Sequence, residues 1–189
     1  MEEVELGDDR LYVRPWRLGD AAAVCEACQD RDIQRWTSVP SPYLREHAES
    51  YVGEISPTAW RTGSGAIFGV FDAQTGQLLA ATGVHHICER DAAVGGRAEL
   101  GYWCAPWARG KGVMTDSSRL VCEWAFADPS LGGLGLARID WHAEVGNWAS
   151  RRVAEKLGFT IEGTLRQRIV HRNQRQDAWT AGLLRGELR

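Results

Sequence analysis

The sequence predicts one α/β (α+β) domain over residues 1–189, built on a mixed, mostly antiparallel sheet of about seven strands with helices on both faces. Three observations carry this. The strand-like runs 66–71, 78–88 and 98–104 are separated by turn residues, Asp72-Ala73-Gln74-Thr75-Gly76 and Val94-Gly95-Gly96, which makes an antiparallel meander. Val113, Ser117, Leu120, Val121, Trp124 and Ala125 recur at helical spacing directly after a glycine-rich turn. Past that helix the chain reads strand, helix, strand, strand, so helices fall between strands on either side of the sheet.

The elements follow in order. Leu11-Tyr12-Val13-Arg14-Pro15 alternates as a strand and stops at Pro15, and Gly19-Asp20 leads into a helix over 21–29, with a shorter helical piece over 32–36. Pro40 and Pro42 break the chain, after which 44–60 reads as an amphipathic helix interrupted or ended near Pro57. The meander comes next, then the helix from Val113, ended by Pro129 and the glycines at 132, 133 and 135. The tail reads as a strand over 137–142, a helix over 147–157 closed by Gly158, and strands over 160–171 and 177–184.

Composition narrows the class. With 44% hydrophobic and 25% charged residues, the chain can bury one layered core. A net charge of −3 and scattered arginines leave no phosphate-tracking stripe, so nucleic acid is not an expected partner. The acidic start Met1-Glu2-Glu3-Val4-Glu5 is unlike a signal peptide, and no stretch approaches the roughly 20 apolar residues of a membrane span. The expected location is cytoplasmic. Five cysteines, an odd number, argue against a disulfide framework. Cys25 and Cys28 form a C-x-x-C, but His85, His86 and Cys88 lack matching paired spacing, so the two cysteines are expected to pack on a helix and no metal is expected.

The turn Arg109-Gly110-Lys111-Gly112-Val113-Met114 lies between a strand ending near Cys104 and a helix starting near Val113. Glycines there let backbone N–H groups close around an anion, and the positive end of the helix reinforces them, so a pyrophosphate is the expected ligand. Neither the dinucleotide pattern G-x-G-x-x-G nor the P-loop pattern G-x-x-x-x-G-K-[ST] is present. Taken by itself, the turn fits a tight bend without ligand equally well.

Downstream lies Asn147-Trp148-Ala149-Ser150-Arg151-Arg152-Val153-Ala154-Glu155-Lys156-Leu157-Gly158-Phe159. An R/Q-x-x-G-x-G/A turn followed by an N-x-x-[SA] helix ending in K-x-G-F is the pattern of the GNAT acyltransferase superfamily, and the chain resembles it. The resemblance is closest to the RimJ/RimL-like branch, through Glu99-Leu100-Gly101-Tyr102-Trp103, the Gly-Lys-Gly turn and Phe159-x-x-Glu162-Gly163, and it covers the element order from Arg10 to the terminus. It implies a V-shaped sheet whose central strands splay around the arm of acetyl coenzyme A, and N-acetylation of a primary amine. Named enzymes of the branch acetylate the terminal amines of ribosomal proteins. Carried over by position, Arg109 takes the R/Q place and Gly112 the first required glycine, with Gly110, Lys111 and Val113 completing the turn. Met114 stands where Gly or Ala is usual, a departure that would narrow the groove. Trp103 and Cys104 match positions whose backbone pairs with the pantetheine arm, and Asn147 a side chain that supports it.

Acyl transfer to an amine needs a deprotonated nucleophile, a polarised thioester carbonyl and a proton for the departing thiolate. The resemblance puts acidic bases on the strand of Glu99, which makes it the leading base, against an alternative in which it pairs with an arginine such as Arg14. His85, His86 and His142 are further candidates. The tyrosine that many GNAT enzymes carry seven positions after the asparagine is Ala154 here. Ser150 shares a helix face with Asn147 and Ala154, and the RimL-like pattern implies a serine there that hydrogen-bonds the sulfur, so Ser150 is the expected acid. The branch's glutamate nineteen positions later is Ile169 in this chain. The acceptor stays open between a protein amino terminus and a small-molecule amine, with Trp36, Trp60, Trp107 and Trp148 as candidate pocket lining, and the acyl group between acetyl and succinyl or others. A non-catalytic acyl-CoA-binding or sensing module is the reading from a different class. Final strands of this fold often meet a partner, which leaves a homodimer open.

Overall fold

A computed structural model describes residues 1–88 and 94–189. Its strands are β1 (Leu6–Gly7), β2 (Leu11–Pro15), β3 (Ala66–Asp72), β4 (Leu78–Cys88), β5 (Gly96–Cys104), β6 (Leu136–Glu144), β7 (Thr160–His171) and β8 (Gln174–Leu184). They form one sheet in the order β1-β2-β3-β4-β5-β6-β8-β7, in which β5 and β6 are parallel and the other neighbours antiparallel. The strand beyond the expected seven is β1, whose two residues are too few to show alternation.

The helices are α1 (Ala21–Ala27), α2 (Arg31–Trp36), α3 (Arg45–Ser50), α4 (Ser56–Thr62), α5 (Val113–Phe126) and α6 (Trp148–Leu157). A π-helical turn, Tyr51–Ile55, joins α3 to α4, so the break expected near Pro57 is not made. Pro57 falls in the first turn of α4, directly after the widened ladder, where its missing N–H is least costly. None of the described helices is long and apolar enough to cross a membrane.

Alternation along β3 shows how the sheet is buried on both faces. Ala66, Phe68 and Val70 enter the core beneath α5 and α6, while Ile67 and Phe71 enter the core formed with α1 to α3. On the α5 side Phe68 meets Trp60 and Trp124 edge-on, at centroid distances of 5.1 and 5.7 Å. Trp60 is thereby a core residue rather than pocket lining.

The parallel pairing of β5 with β6 stops early. Gly96 to Glu99 pair with Leu136 to Asp140, but beyond Glu99 strand β5 keeps only its ladder to β4, and β6 only its ladder to β8. The two strands diverge as a V. One edge of Leu100 to Cys104 is left without a strand partner.

Candidate active site

The wedge between β5 and β6 opens into a cleft of about 910 Å³. Glu99, Trp103, Cys104, Arg109, Gly110, Gly112, Val113, Met114, Asn147 and Ser150 all line it, as does Trp36. Lys111 is exposed on the turn. Of the other tryptophans proposed as lining, Trp107 donates to the Leu78 carbonyl at 2.7 Å, and Trp148 packs against Trp179 in a tilted pair with ring centroids 4.6 Å apart.

Gly110 and Gly112 have φ of +75° and +77°, a left-handed conformation that costs glycine nothing, and Gly112 is the N-cap of α5. The amides of the first turn of α5 are therefore presented at the cleft with the positive end of the helix behind them. Arg10 braces this turn by donating to the Lys111 carbonyl at 3.3 Å and pairing with Asp116, which also binds Arg119 at 3.2 Å. Two cations thus offset a carboxylate that would repel an anion at the helix start. The Arg109 guanidinium binds Asp30, the N-cap of α2, at 2.5 Å and Asp32 at 3.2 Å, which ties the turn to α2. Met114 is only 8% exposed and packs in the core while also lining the cleft.

Asn147 caps α6, its Oδ1 accepting the Ser150 N–H at 3.2 Å. Ser150 Oγ donates to Tyr102 Oη at 3.1 Å, and Tyr102 Oη donates to the Ser150 carbonyl at 2.9 Å. Trp141 Nε1 donates to Tyr102 Oη at 3.0 Å and reaches Ser150 Oγ at 3.3 Å. Burial pushes the Tyr102 phenol far above its ordinary range, so it is a neutral hydrogen-bonding group. The sequence motif contained Tyr102 without giving it a role, and Trp141 carried no signal beyond being aromatic.

Alternation along β5 puts Glu99 on the face opposite Tyr102. Glu99 Oε2 lies 3.6 Å from His142 Nδ1, and His142 Nε2 lies 3.2 Å from Thr180 Oγ1. Contact with His142 outweighs burial and, with His86 and His85 nearby, holds the Glu99 carboxyl below its ordinary 4.5, so it is anionic at neutral pH. His85 is the cross-strand partner of Glu99, and burial holds it below its ordinary 6.5, hence neutral. Arg14, the alternative partner for Glu99, instead pairs with Asp20 at 2.8 Å and lies 3.8 Å from the Phe71 ring centroid.

Ile169 lines the same cleft and pairs with Gln176 across β7 and β8. A carboxylate that sequence reasoning missed lies in the same cleft. Glu144 is bound by Arg35 at 2.8 and 2.5 Å and stands 3.6 Å from His171 Nδ1. Arg35 outweighs burial and keeps this carboxyl below 4.5. Its partner is 109 positions away, which no local pattern announces. Helix α1 ends at Ala27 rather than residue 29, and the buried thiol of Cys28 is pushed up to about 12 by loss of water. Among the described residues, no three His, Cys, Asp or Glu side chains are grouped to hold a metal ion.

Known proteins place this geometry. The acetyltransferase (GNAT) domain family matches residues 10–160. The chain is 33% identical over 112 residues to YdaF of Bacillus subtilis (strain 168), a candidate ribosomal N-acetyltransferase, a match spanning 59% of this chain and 56% of that protein. It is 27% identical over 162 residues to YoaA of the same strain, an uncharacterized N-acetyltransferase, covering 86% of each. Among solved structures, Mycobacterium smegmatis RimJ in complex with CoA-disulfide has the same fold, with a TM-score of 0.81 at 19% identity over 96% of this chain and 86% of that one. The family match takes in the glycine turn, the wedge and the Ser150 helix together, and the chain belongs to the GNAT acetyltransferases, enzymes of acetyl-CoA-dependent N-acetylation.

Proposed function

We propose that the chain transfers the acetyl group of acetyl coenzyme A to a primary amine, either a protein amino terminus or a small-molecule amine, by direct attack on the thioester. The observation that carries this reading is the placement of Glu99 and Ser150 on opposite faces of the gap between β5 and β6, one a carboxylate among histidines, the other a hydroxyl at the cleft.

In this reading the backbone amides of 109–114 hold the pyrophosphate, and the unpaired edge of β5 at Trp103 and Cys104 pairs with the pantetheine arm. Acetyl coenzyme A supplies an activated acyl group. The chain supplies alignment and proton management. Glu99 attracts the arriving ammonium and accepts its proton, directly or through His142. An amino terminus, with a pKa near 8, is about one-tenth unprotonated at neutral pH and suits a base of this modest strength. Ser150 serves the departing sulfur as a hydrogen-bond donor. A hydroxyl is too weak an acid to surrender its proton to a thiolate, so the proton that ends on sulfur comes from the nitrogen as the amide forms. Holding both reactants in one cleft provides much of the remaining acceleration.

Thiol release from acetyl coenzyme A, measured with a panel of amino-terminal peptides and small amines, tests this. Turnover on at least one class is expected. Saturable coenzyme A binding with no turnover on any amine would instead support the sensing module.

A further inference from the structure

We propose that Tyr102, anchored by Trp141, is a positioning residue that sets the direction and readiness of the Ser150 hydroxyl. This rests on the functional reading above. Tyr102 and Trp141 stand just past Glu99 and Asp140, the last residues joined by the β5–β6 ladder. Where the backbone ladder stops, side chains take over. Tyr102 Oη accepts from Trp141 Nε1 at 3.0 Å and spans to α6 through Ser150 Oγ at 3.1 Å and the Ser150 carbonyl at 2.9 Å.

The roles of the protons follow from the donors available. Trp141 Nε1 can only donate, so the Tyr102 oxygen must accept from it. With the phenolic proton directed to the Ser150 carbonyl, the remaining lone pair of Tyr102 faces the Ser150 hydroxyl. A serine in the first turn of a helix otherwise has three staggered rotamers and local backbone acceptors to choose among. Here the hydroxyl is held toward the wedge by a neutral acceptor. When negative charge develops on a sulfur in the cleft, that charged acceptor competes favourably for the Ser150 proton, and Tyr102 is left still bonded to Trp141 and to the Ser150 carbonyl. The Ser150 O–H bond itself stays intact; only its hydrogen-bond acceptor changes, from Tyr102 to the sulfur. Tyr102 is thus not an acid, and its contribution passes entirely through Ser150.

The test is a double-mutant cycle on the full chain, reading kcat and the KM for acetyl coenzyme A. Tyr102→Phe, which keeps the ring, should lower kcat about tenfold with the donor KM unchanged, and Trp141→Phe should act in the same direction. In the Ser150→Ala background, Tyr102→Phe should have no further effect. Wild-type kcat in Tyr102→Phe would overturn the inference alone, and so would effects of the two substitutions that multiply. A wild-type chain that turns over no amine would remove the functional reading, and this inference with it. Thermal melts of each variant separate a lost fold from a lost role, and if Tyr102→Phe does not fold, Trp141→Phe carries the same cycle.

Discussion

At the residue scale the site depends on a carboxylate whose charge its neighbours hold, Glu99, and on a hydroxyl whose hydrogen bonds its neighbours set, Ser150. Contact with His142 keeps the Glu99 carboxyl below its ordinary 4.5, so at neutral pH its charge is constant and cannot itself produce a pH limb in that range. Replacing it with Gln keeps the size and removes the charge. Glu99→Gln is expected to lower kcat/KM for the amine about a hundredfold while coenzyme A affinity, read by calorimetry, stays the same. Full activity of that variant from about pH 6 to about pH 9 would take the base role away from Glu99. Ser150→Ala should lower kcat, about a hundredfold if its hydrogen bond exists mainly in the transition state, with the KM for both substrates little changed. An equal loss in donor affinity would make Ser150 a binding group instead.

At the element scale the glycine turn depends on conformation more than on side chains. Gly112 has φ of +77° at the N-cap of α5, and a Cβ there would meet Asp116 Oδ2 at 3.2 Å; Gly110 has φ of +75° but nothing within 4 Å. Gly112→Ala is therefore expected to cost about 1 kcal/mol or more in backbone strain and to press on the carboxylate that Arg10 and Arg119 hold, raising the KM for acetyl coenzyme A with kcat preserved. Gly110→Ala should show the smaller rise, and the reverse order would contradict the role assigned to Asp116. The turn, the meander and the α6 helix were legible in the sequence because each is set by spacing within a short window. The π-helical turn at Tyr51–Ile55 was not, since nothing local distinguishes it from an α-helix meeting a proline. The early end of the β5–β6 ladder was expected only through family resemblance; periodicity says which face a residue occupies, not how long two strands stay paired. Glu99 and Ser150 could be named because they sit in motifs. The pairs Arg35–Glu144, Arg109–Asp30 and Tyr102–Ser150 join residues 109, 79 and 48 positions apart, and only the folded chain brings them together.

At the scale of the whole molecule ion pairs distant in sequence tie separate elements to one another. Arg35–Glu144 joins α2 to β6, Arg109–Asp30 joins the glycine turn to α2, and Arg138–Glu162 joins β6 to β7. They make stability depend on pH in a direction that can be worked out. Arg35 holds Glu144, and Arg138 holds Glu162, below the ordinary 4.5 of a glutamate. Between the folded and ordinary values the unfolded chain binds more protons, so this contribution is fully present above 4.5 and is lost as pH falls through the folded values. Glu144, 8% exposed, should account for more of it than Glu162, whose side chain is 41% exposed and screened by water. His85 acts earlier and with the same sign. Burial holds it below 6.5, so on acidification the unfolded state takes up its proton first, and stability begins to fall below that pH. Thermal midpoints measured from about pH 8 down to about pH 4 should therefore decline in two stages. His85→Gln should flatten the upper stage and leave the lower one. Glu144→Gln, which keeps the hydrogen-bonding shape but not the charge, should lower the midpoint at neutral pH, because Arg35 is then left facing a neutral group, and should flatten the lower stage. A midpoint that stays level through the upper range in the wild-type chain would show that His85 gains a proton in the folded state as readily as in the unfolded one, and that the apex of the wedge is wetter than its packing implies.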